Sequence, residues 1–476
     1  MTRHAARTIL LFGILALVAG LAQAGDAPAL PPGLENESTE EAPALPPGLG
    51  EQEGPGLPPG LETEVVDNET TGDIHAGEPS KAAAKFPLHG FWENRAGVRL
   101  QDDPAQSKDS SIAETRLQLE TEKVWDRVVF EFTGDIFLDG IAEEPDADLR
   151  RLRLTWTPVN TVDIRVGRQV LTWGTGDMLF INDMFPKDWQ SFFIGRDVDY
   201  LKAPADSLRI GWFNKAVNVD FVYTPQFVHD RFITGERISF WDPMRQTHSG
   251  DANQVNADPP ETWFEDDEYA LRLYRSIGSA EIALYGYSGY WKSPAGQQMT
   301  PMRATFPKLR VYGASVRGPV AKGIANIELG YYDSYQDKSG TDPLVNNSEF
   351  RVLLGYEREL ATEFTCAMQY YLEHMNDHEA YMDSRYPQMP ERDQDRHVLT
   401  FRLTKLLMNQ NFIASLFTYY SPSDGDAYLR PGITYKASDH WTLNLGGNIF
   451  TGRADDTFFG QFENNTNAYA AARLAF

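Results

Sequence analysis

Arginines stand at alternate positions along several short stretches of this chain, as at Arg151 and Arg153, and in comparable settings at Arg95, Arg99, Arg116, Arg165, Arg209, Arg272, Arg310, Arg351, Arg402, Arg430 and Arg473. They are interleaved with acids of the same parity, among them Glu93, Glu114, Glu131, Asp135, Asp163, Asp220, Glu281, Glu328 and Glu357. A guanidinium is a planar fork that grips carboxylates and phosphates at two points, so such a set could form a ladder for an anionic or amphiphilic solute. The same arginines could instead pair with acids on neighbouring strands and stiffen a wall. The wall role suits most of them and a transport role a minority, and the sequence does not single that minority out.

Charged residues on one parity and apolar residues on the other require strands as the elements that position them. The terminal segment shows this plainly: Ala468, Ala470, Ala472 and Leu474 share one face, Asn467, Tyr469 and Arg473 the other, and the chain stops on Phe476. That pattern predicts the closing strand of an outer-membrane β-barrel. From Leu88 onward the alternation yields 18 antiparallel strands, near 88–100, 112–123, 127–137, 148–157, 162–172, 206–213, 216–224, 267–275, 278–288, 308–317, 323–333, 347–358, 363–374, 395–405, 410–420, 426–436, 440–451 and 466–476. Short turns follow the even strands and long polar loops the odd ones, which places both termini on the short-turn side. Trp125, Trp156, Trp212 and Trp441 lie beside those short turns, where an aromatic girdle meets the periplasmic interface.

The fold class is therefore all-β: a transmembrane outer-membrane barrel over residues 86–476, preceded by two segments of other kinds. Residues 1–24 read as a signal peptide, with Arg3 and Arg7 before the apolar run Ile9 to Leu21 and then Ala22-Gln23-Ala24. Residues 25–85, rich in Pro, Gly and Glu, read as a disordered periplasmic tether. It repeats Leu-Pro-Pro-Gly-Leu three times, with leucine pairs Leu30 and Leu34, Leu45 and Leu49, and Leu57 and Leu61. Each repeat could anchor a periplasmic or inner-membrane exporter component through two leucines around a stiff Pro-Pro, or the whole could be a spacer. Mean hydropathy is −0.43, so the mature chain has no helical spans, a test that barrels escape.

The longest aromatic-rich connection, Trp173 to Pro204, carries Asp177, Asp183, Asp188, Arg196, Asp197 and Asp199 among Phe180, Phe185, Trp189, Phe192, Phe193 and Tyr200. So many aromatics call for burial, and the segment is expected to fold into the barrel mouth and narrow it. The following long loop ends in the acidic run Glu261 to Glu268, expected to be a solvated face. A net charge of −25 argues against a nucleic-acid partner and suits a secreted surface whose loops stay solvated, while the barrel itself implies outer-membrane lipid as a partner. Enzymatic chemistry is not expected: no Gly-x-Ser-x-Gly and no His-Glu-x-x-His occur, and His374 and His378 share a polar loop. No metal or cofactor is implied; Cys-x-x-Cys-His is absent, and the one cysteine, Cys366, sits on an apolar face with Phe364, Met368 and Tyr370.

Arg165-Val166-Gly167-Arg168-Gln169, followed by Trp173-Gly174, Asp177 and Asn182-Asp183, resembles a signature of a family of Gram-negative outer-membrane barrels. Those proteins are mostly uncharacterised, are considered alongside RND/MMPL-type exporters, and are distantly similar to alginate-export porins. The resemblance covers residues 148–210 and the strand layout, and implies an export or exchange barrel of 18 strands. Within this block Arg168 and Gln169 reach the loop, where Arg168 could clamp Asp177 or Asp183. The expected function is a porin-like channel or export barrel for a polar, anionic or amphiphilic solute in the outer membrane of a Gram-negative bacterium. The alternative is a structural barrel that scaffolds a partner such as an electron-transfer protein.

Overall fold

Eighteen antiparallel strands close on themselves into one barrel in the computed structural model, which describes residues 87–476. In chain order they are β1 (His89–Arg99), β2 (Ser110–Trp125), β3 (Val128–Asp139), β4 (Glu144–Val159), β5 (Val162–Val170), β6 (Pro204–Trp212), β7 (Asn218–Thr224), β8 (Glu268–Ile277) and β9 (Ala280–Tyr290). They continue with β10 (Lys308–Val320), β11 (Gly323–Asp333), β12 (Glu349–Ala361), β13 (Phe364–Met375), β14 (Asp395–Leu407), β15 (Phe412–Ser421), β16 (Asp426–Lys436), β17 (Trp441–Gly452) and β18 (Asn467–Ala475). Each pairs with its sequence neighbours, and β1 closes on β18 in the register Phe91↔Ala475 through Arg99↔Asn467. Phe476 and Gly90 exchange two backbone hydrogen bonds of 3.0 and 3.1 Å, so the last residue is part of the seam. The signal peptide, the tether and the leucines of its three repeats lie outside the described residues.

Parity sets the two faces. Along β1, Glu93, Arg95, Gly97 and Arg99 are buried while Trp92, Asn94, Ala96 and Val98 are exposed, so charge points inward and apolar groups outward. That inversion of a soluble barrel follows from the solvent: closure satisfies every strand's backbone groups, and lipid meets only the outer residues. Trp92, Trp125, Trp156, Trp212 and Trp441 are exposed near the short-turn end, and Tyr269, Tyr312, Tyr331, Phe350 and Tyr420 near the other. Two aromatic belts with an apolar band between them mark both interfaces of a membrane. The barrel belongs to the outer membrane of a Gram-negative bacterium.

Connections after even strands hold two to five residues, and turns such as Ala321-Lys322 close with both residues at positive φ, 46° and 68°. Those values suit the primed turns that match strand twist. Connections after odd strands are long in seven cases, but those after β3 and β15, residues 140–143 and 422–425, hold only four. The expected alternation of loop length is thus broken at two places.

Candidate functional site

The connection from Leu171 to Ala203 leaves β5, crosses the interior and returns to β6. Its first leg is held by Glu328 of β11, a fully buried carboxylate. Glu328 accepts from the backbone N–H groups of Thr175 and Asn182, both at 2.9 Å, from the Asn182 side chain at 2.9 Å and from the Thr175 hydroxyl at 3.2 Å. Gly174 makes the approach possible: its φ is +85°, and a Cβ there would lie 2.8 Å from a Glu328 carboxylate oxygen. On the neighbouring strand a Cβ on Gly313 would overlap the Asn182 side chain, so β10 yields space to the loop.

The loop is then tied along the wall from β11 to β15. The Asp177 N–H donates to the Gln369 side chain at 3.2 Å, its carboxylate pairs with Arg402, and the hydroxyls of Tyr332 and Tyr419 donate to the carbonyls of Ile181 and Met178. A short helix, Trp189–Ile194, follows; Asp188 caps it by accepting from the Ser191 N–H at 2.7 Å, and Gly195 ends it at φ +91°. Beyond the helix Arg95 donates to the Gly195 carbonyl (2.6 Å), Arg196 pairs with Glu114 (2.6 Å), Asp197 with Arg473 (3.0 Å), Arg430 donates to the Arg196 carbonyl (2.7 Å), and the Tyr200 hydroxyl donates to Asp135 (2.8 Å). The segment is thereby bonded to β1, β2, β3, β11, β13, β14, β15, β16 and β18.

Between these polar ties lies an apolar core. Met178, Ile181, Met184, Phe185, Phe192, Phe193, Ile194 and Leu201 of the loop are buried against inward wall residues such as Leu309, Val311, Tyr332, Leu353, Tyr428 and Phe450. Phe193 alone has four rings from the helix, the wall and the β17–β18 connection within 5.6 Å, those of Phe192, Tyr428, Phe450 and Phe462. At roughly 1.5–3 kcal/mol per buried large side chain, these eight stabilise the docked loop by about 12–24 kcal/mol as an upper bound. The loop is therefore packed as part of the barrel interior, not laid over its mouth.

The residues of the sequence signature take other places than the expected clamp. Val166 is exposed, and Arg168, two residues on, shares its outward parity; Arg168 pairs with Asp206 at 3.1 Å and donates to the Leu149 carbonyl at 2.7 Å. It touches neither Asp177, which Arg402 holds, nor Asp183, which pairs with Lys187 at 3.0 Å and accepts from the Thr172 hydroxyl at 2.7 Å. Gln169 points inward, fully buried, and donates to Ser207 at 3.1 Å, while Trp173 packs edge-on against Phe185 with centroids 4.9 Å apart.

Of the arginines read as lining the interior, all but one are on the inner face. The exception is Arg310, which is exposed on the outer face of β10 and stacks 4.5 Å from the Tyr335 ring. On that strand Leu309 and Val311 point inward to pack on the loop, so both faces are apolar and the alternation loses its contrast. The acidic run is solvated over Glu261 to Glu265, as expected, but its end turns inward: Asp266 and Asp267 are half-buried and accept from Tyr290 and Tyr269, and Glu268, the first residue of β8, is buried beside Lys292 and accepts from the Tyr287 hydroxyl.

Below the loop, toward the short turns, the inner wall of β3–β10 is a charged band. Glu131 pairs with Arg153 (2.6 Å) and Arg151 (3.1 Å), Asp163 with Arg165 (2.8 Å), Asp220 with Arg209 (3.1 Å), and Glu281 with Arg272 (2.6 Å). Arg165 and Arg209 stand directly opposite each other on β5 and β6, and Arg317 stands opposite Glu281. Higher up, Arg116 is fully buried between Glu114 and Asp135, Arg351 pairs with Glu349 (2.6 Å), and Arg99 donates to the Arg237 carbonyl (2.6 Å).

Arg150 escapes a parity reading, and the role of Glu328 goes beyond one. A register shift between Thr133 and Gly134 turns both Arg150 and Arg151 inward, and Arg150 donates to the Asp199 and Lys202 carbonyls at 2.9 and 3.1 Å. Glu328 was visible as inward-facing, but its anchoring role follows from a clue in its neighbours: the residues opposite it are Ser315 and Leu353, neither a cation, so its partners had to come from elsewhere.

No family model and no curated protein matches the sequence. Among solved structures, OccAB3 of Acinetobacter baumannii is 9% identical with a TM-score of 0.48, over 82% of this chain and 98% of that one. OccK11 (OpdR) of Pseudomonas aeruginosa is 8% identical with a TM-score of 0.46, over 82% and 96%. OmpT, an outer membrane protein of Vibrio cholerae, is 12% identical with a TM-score of 0.40, over 82% and 99%. At such scores these similarities decide nothing about a solute, and the reading below rests on the geometry of this chain.

Proposed function

We propose that the protein is a porin-like channel or export barrel that moves a polar, anionic or amphiphilic solute past a fixed inward loop. The observation that carries the reading is the charged band on β3–β10. Arg151, Arg153, Arg165, Arg209, Arg272 and Arg317 face Glu131, Asp163, Asp220 and Glu281, so six cations meet four anions and leave an excess of positive charge on that wall. The Arg151 side chain keeps 41% of its surface accessible, so a passing carboxylate or phosphate can exchange into its contact with Glu131. The pairs that remain brace the wall, which is the role most of the interior arginines take.

The signature around Gly167-Arg168-Gln169 and Trp173-Gly174 supports membership in the exporter-associated barrel family named above, with Gly174 and Trp173 setting the loop's entry into the interior. The three Leu-Pro-Pro-Gly-Leu repeats are proposed to recruit a periplasmic component by avidity. Scaffolding of an electron-transfer protein inside the barrel is disfavoured, since the loop and its core fill the space such a partner needs.

The test is current through the full-length barrel in a planar bilayer under a salt gradient. Anion-selective current that turns toward cations in Arg151→Glu and Arg317→Glu supports the reading. A silent barrel, or selectivity indifferent to both substitutions, overturns it. Recruitment is tested separately by crosslinking in cells of chains with and without residues 25–85, where identical partner patterns refute a docking role.

A further inference from the structure

Trp263 and Phe264 are exposed side by side, at 52% and 69% of their surface, with ring centroids 5.9 Å apart. Such a pair in water costs apolar hydration without return, and Phe264 adds backbone strain, because its φ of +64° is rare for an aromatic residue. The turn that carries them is nonetheless fixed. The Phe264 N–H donates to the Pro225 carbonyl at 2.8 Å, the Asp266 N–H to the Thr262 carbonyl at 2.9 Å, and the Thr262 N–H back to the Asp266 carboxylate at 2.9 Å.

The position of the turn follows from its next residue. Asp267 accepts from the hydroxyls of Tyr223 at 3.3 Å and Tyr269 at 2.7 Å, which stand opposite each other on the outward faces of β7 and β8 with rings 5.2 Å apart. Both tyrosines belong to the upper aromatic belt, so the turn sits over the outer rim of the wall, on the lipid side. A rigid, strained turn that displays two aromatic rings next to a lipid-facing belt continues that belt beyond the ends of the strands.

We infer that Trp263 and Phe264 form an anchor that inserts into the outer leaflet at the boundary between headgroups and acyl chains, with the lipid surface as its partner. Indole and phenyl groups favour this depth, and the pinned turn removes most of the ordering cost of insertion. Continuity with the belt of Tyr223 and Tyr269 favours lipid over a second barrel or a soluble partner.

An environment-sensitive fluorophore on Trp263→Cys, in a full-length Cys366→Ala background, tests the inference in phosphatidylcholine and phosphatidylglycerol vesicles. Ser339→Cys, on another long loop of the same rim, serves as the solvated control, and heat-modifiable mobility confirms folding of each variant. The expected result is at least about twofold stronger quenching by lipids brominated near the headgroup than at the control site, with iodide protection of similar size. Iodide quenching equal to the control overturns the inference. So does shielding from both quenchers, or shielding that disappears as the barrels are diluted in lipid, either of which assigns the pair to a protein contact.

Discussion

The upper and lower halves of one interior are built by opposite rules. Above, the inward loop and the wall form a dry aromatic core with buried polar ties, packed as a soluble domain is packed. Below, arginines and carboxylates alternate around β3–β10, the wall on which the proposed passage rests. Several strands contribute to both, as β8 does with Ala270 above and Arg272 below, so height along a strand, and not strand identity, decides whether an inward residue joins the core or the charged band. It follows that interior substitutions should separate into stability effects above and selectivity effects below.

The sharpest test of the upper half is Phe193→Ala, which opens a cavity where four rings converge and is expected to cost about 3–5 kcal/mol in a reversible unfolding titration. A loss below about 1 kcal/mol would mean that the core is loosely packed and the division is false. Next, Glu328→Ala strands the Thr175 and Asn182 donors and is expected to cost about 2–4 kcal/mol, with faster hydrogen exchange at those two amides and noisier current. Glu328→Gln keeps one acceptor oxygen and should fall between the variant and the parent.

In the lower half the order of effects reverses. Arg317→Glu should change stability by less than about 1 kcal/mol, since the residue is partly solvated, yet lower the anion-to-cation permeability ratio several-fold as read from reversal potentials. A stability loss comparable to that of Phe193→Ala would break the comparison from the other side. The smallest effect is expected of Arg168→Ala. Its pair with Asp206 is partly exposed on the outer face, so about 0–1 kcal/mol and unchanged conductance are expected. A change in selectivity there would restore an interior role to the sequence signature.

Strand number, strand boundaries to within a few residues, and the side on which the short turns lie were legible in the sequence. A period of two and a run of turn residues are local properties, and lipid outside with water inside enforces them on every strand. The inward direction of Glu93, Arg95, Arg153, Arg402 and Arg473 followed from the same parity. The inward path of the segment after β5 was legible too, from its density of aromatic residues.

What each loop residue touches was decided only by the tertiary structure. Asp177 meets Arg402, 225 residues away, and Asn182 meets Glu328, 146 residues away, and no local pattern encodes such distances. Arg310 was misread because its strand carries apolar side chains on both faces, inward for the loop and outward for lipid. Arg150 was missed because a single register shift turns two consecutive arginines the same way. Alternation reports which face a residue occupies wherever two different solvents bathe the two faces; where a packed loop replaces water inside, the chemical contrast disappears and only the fold assigns the roles.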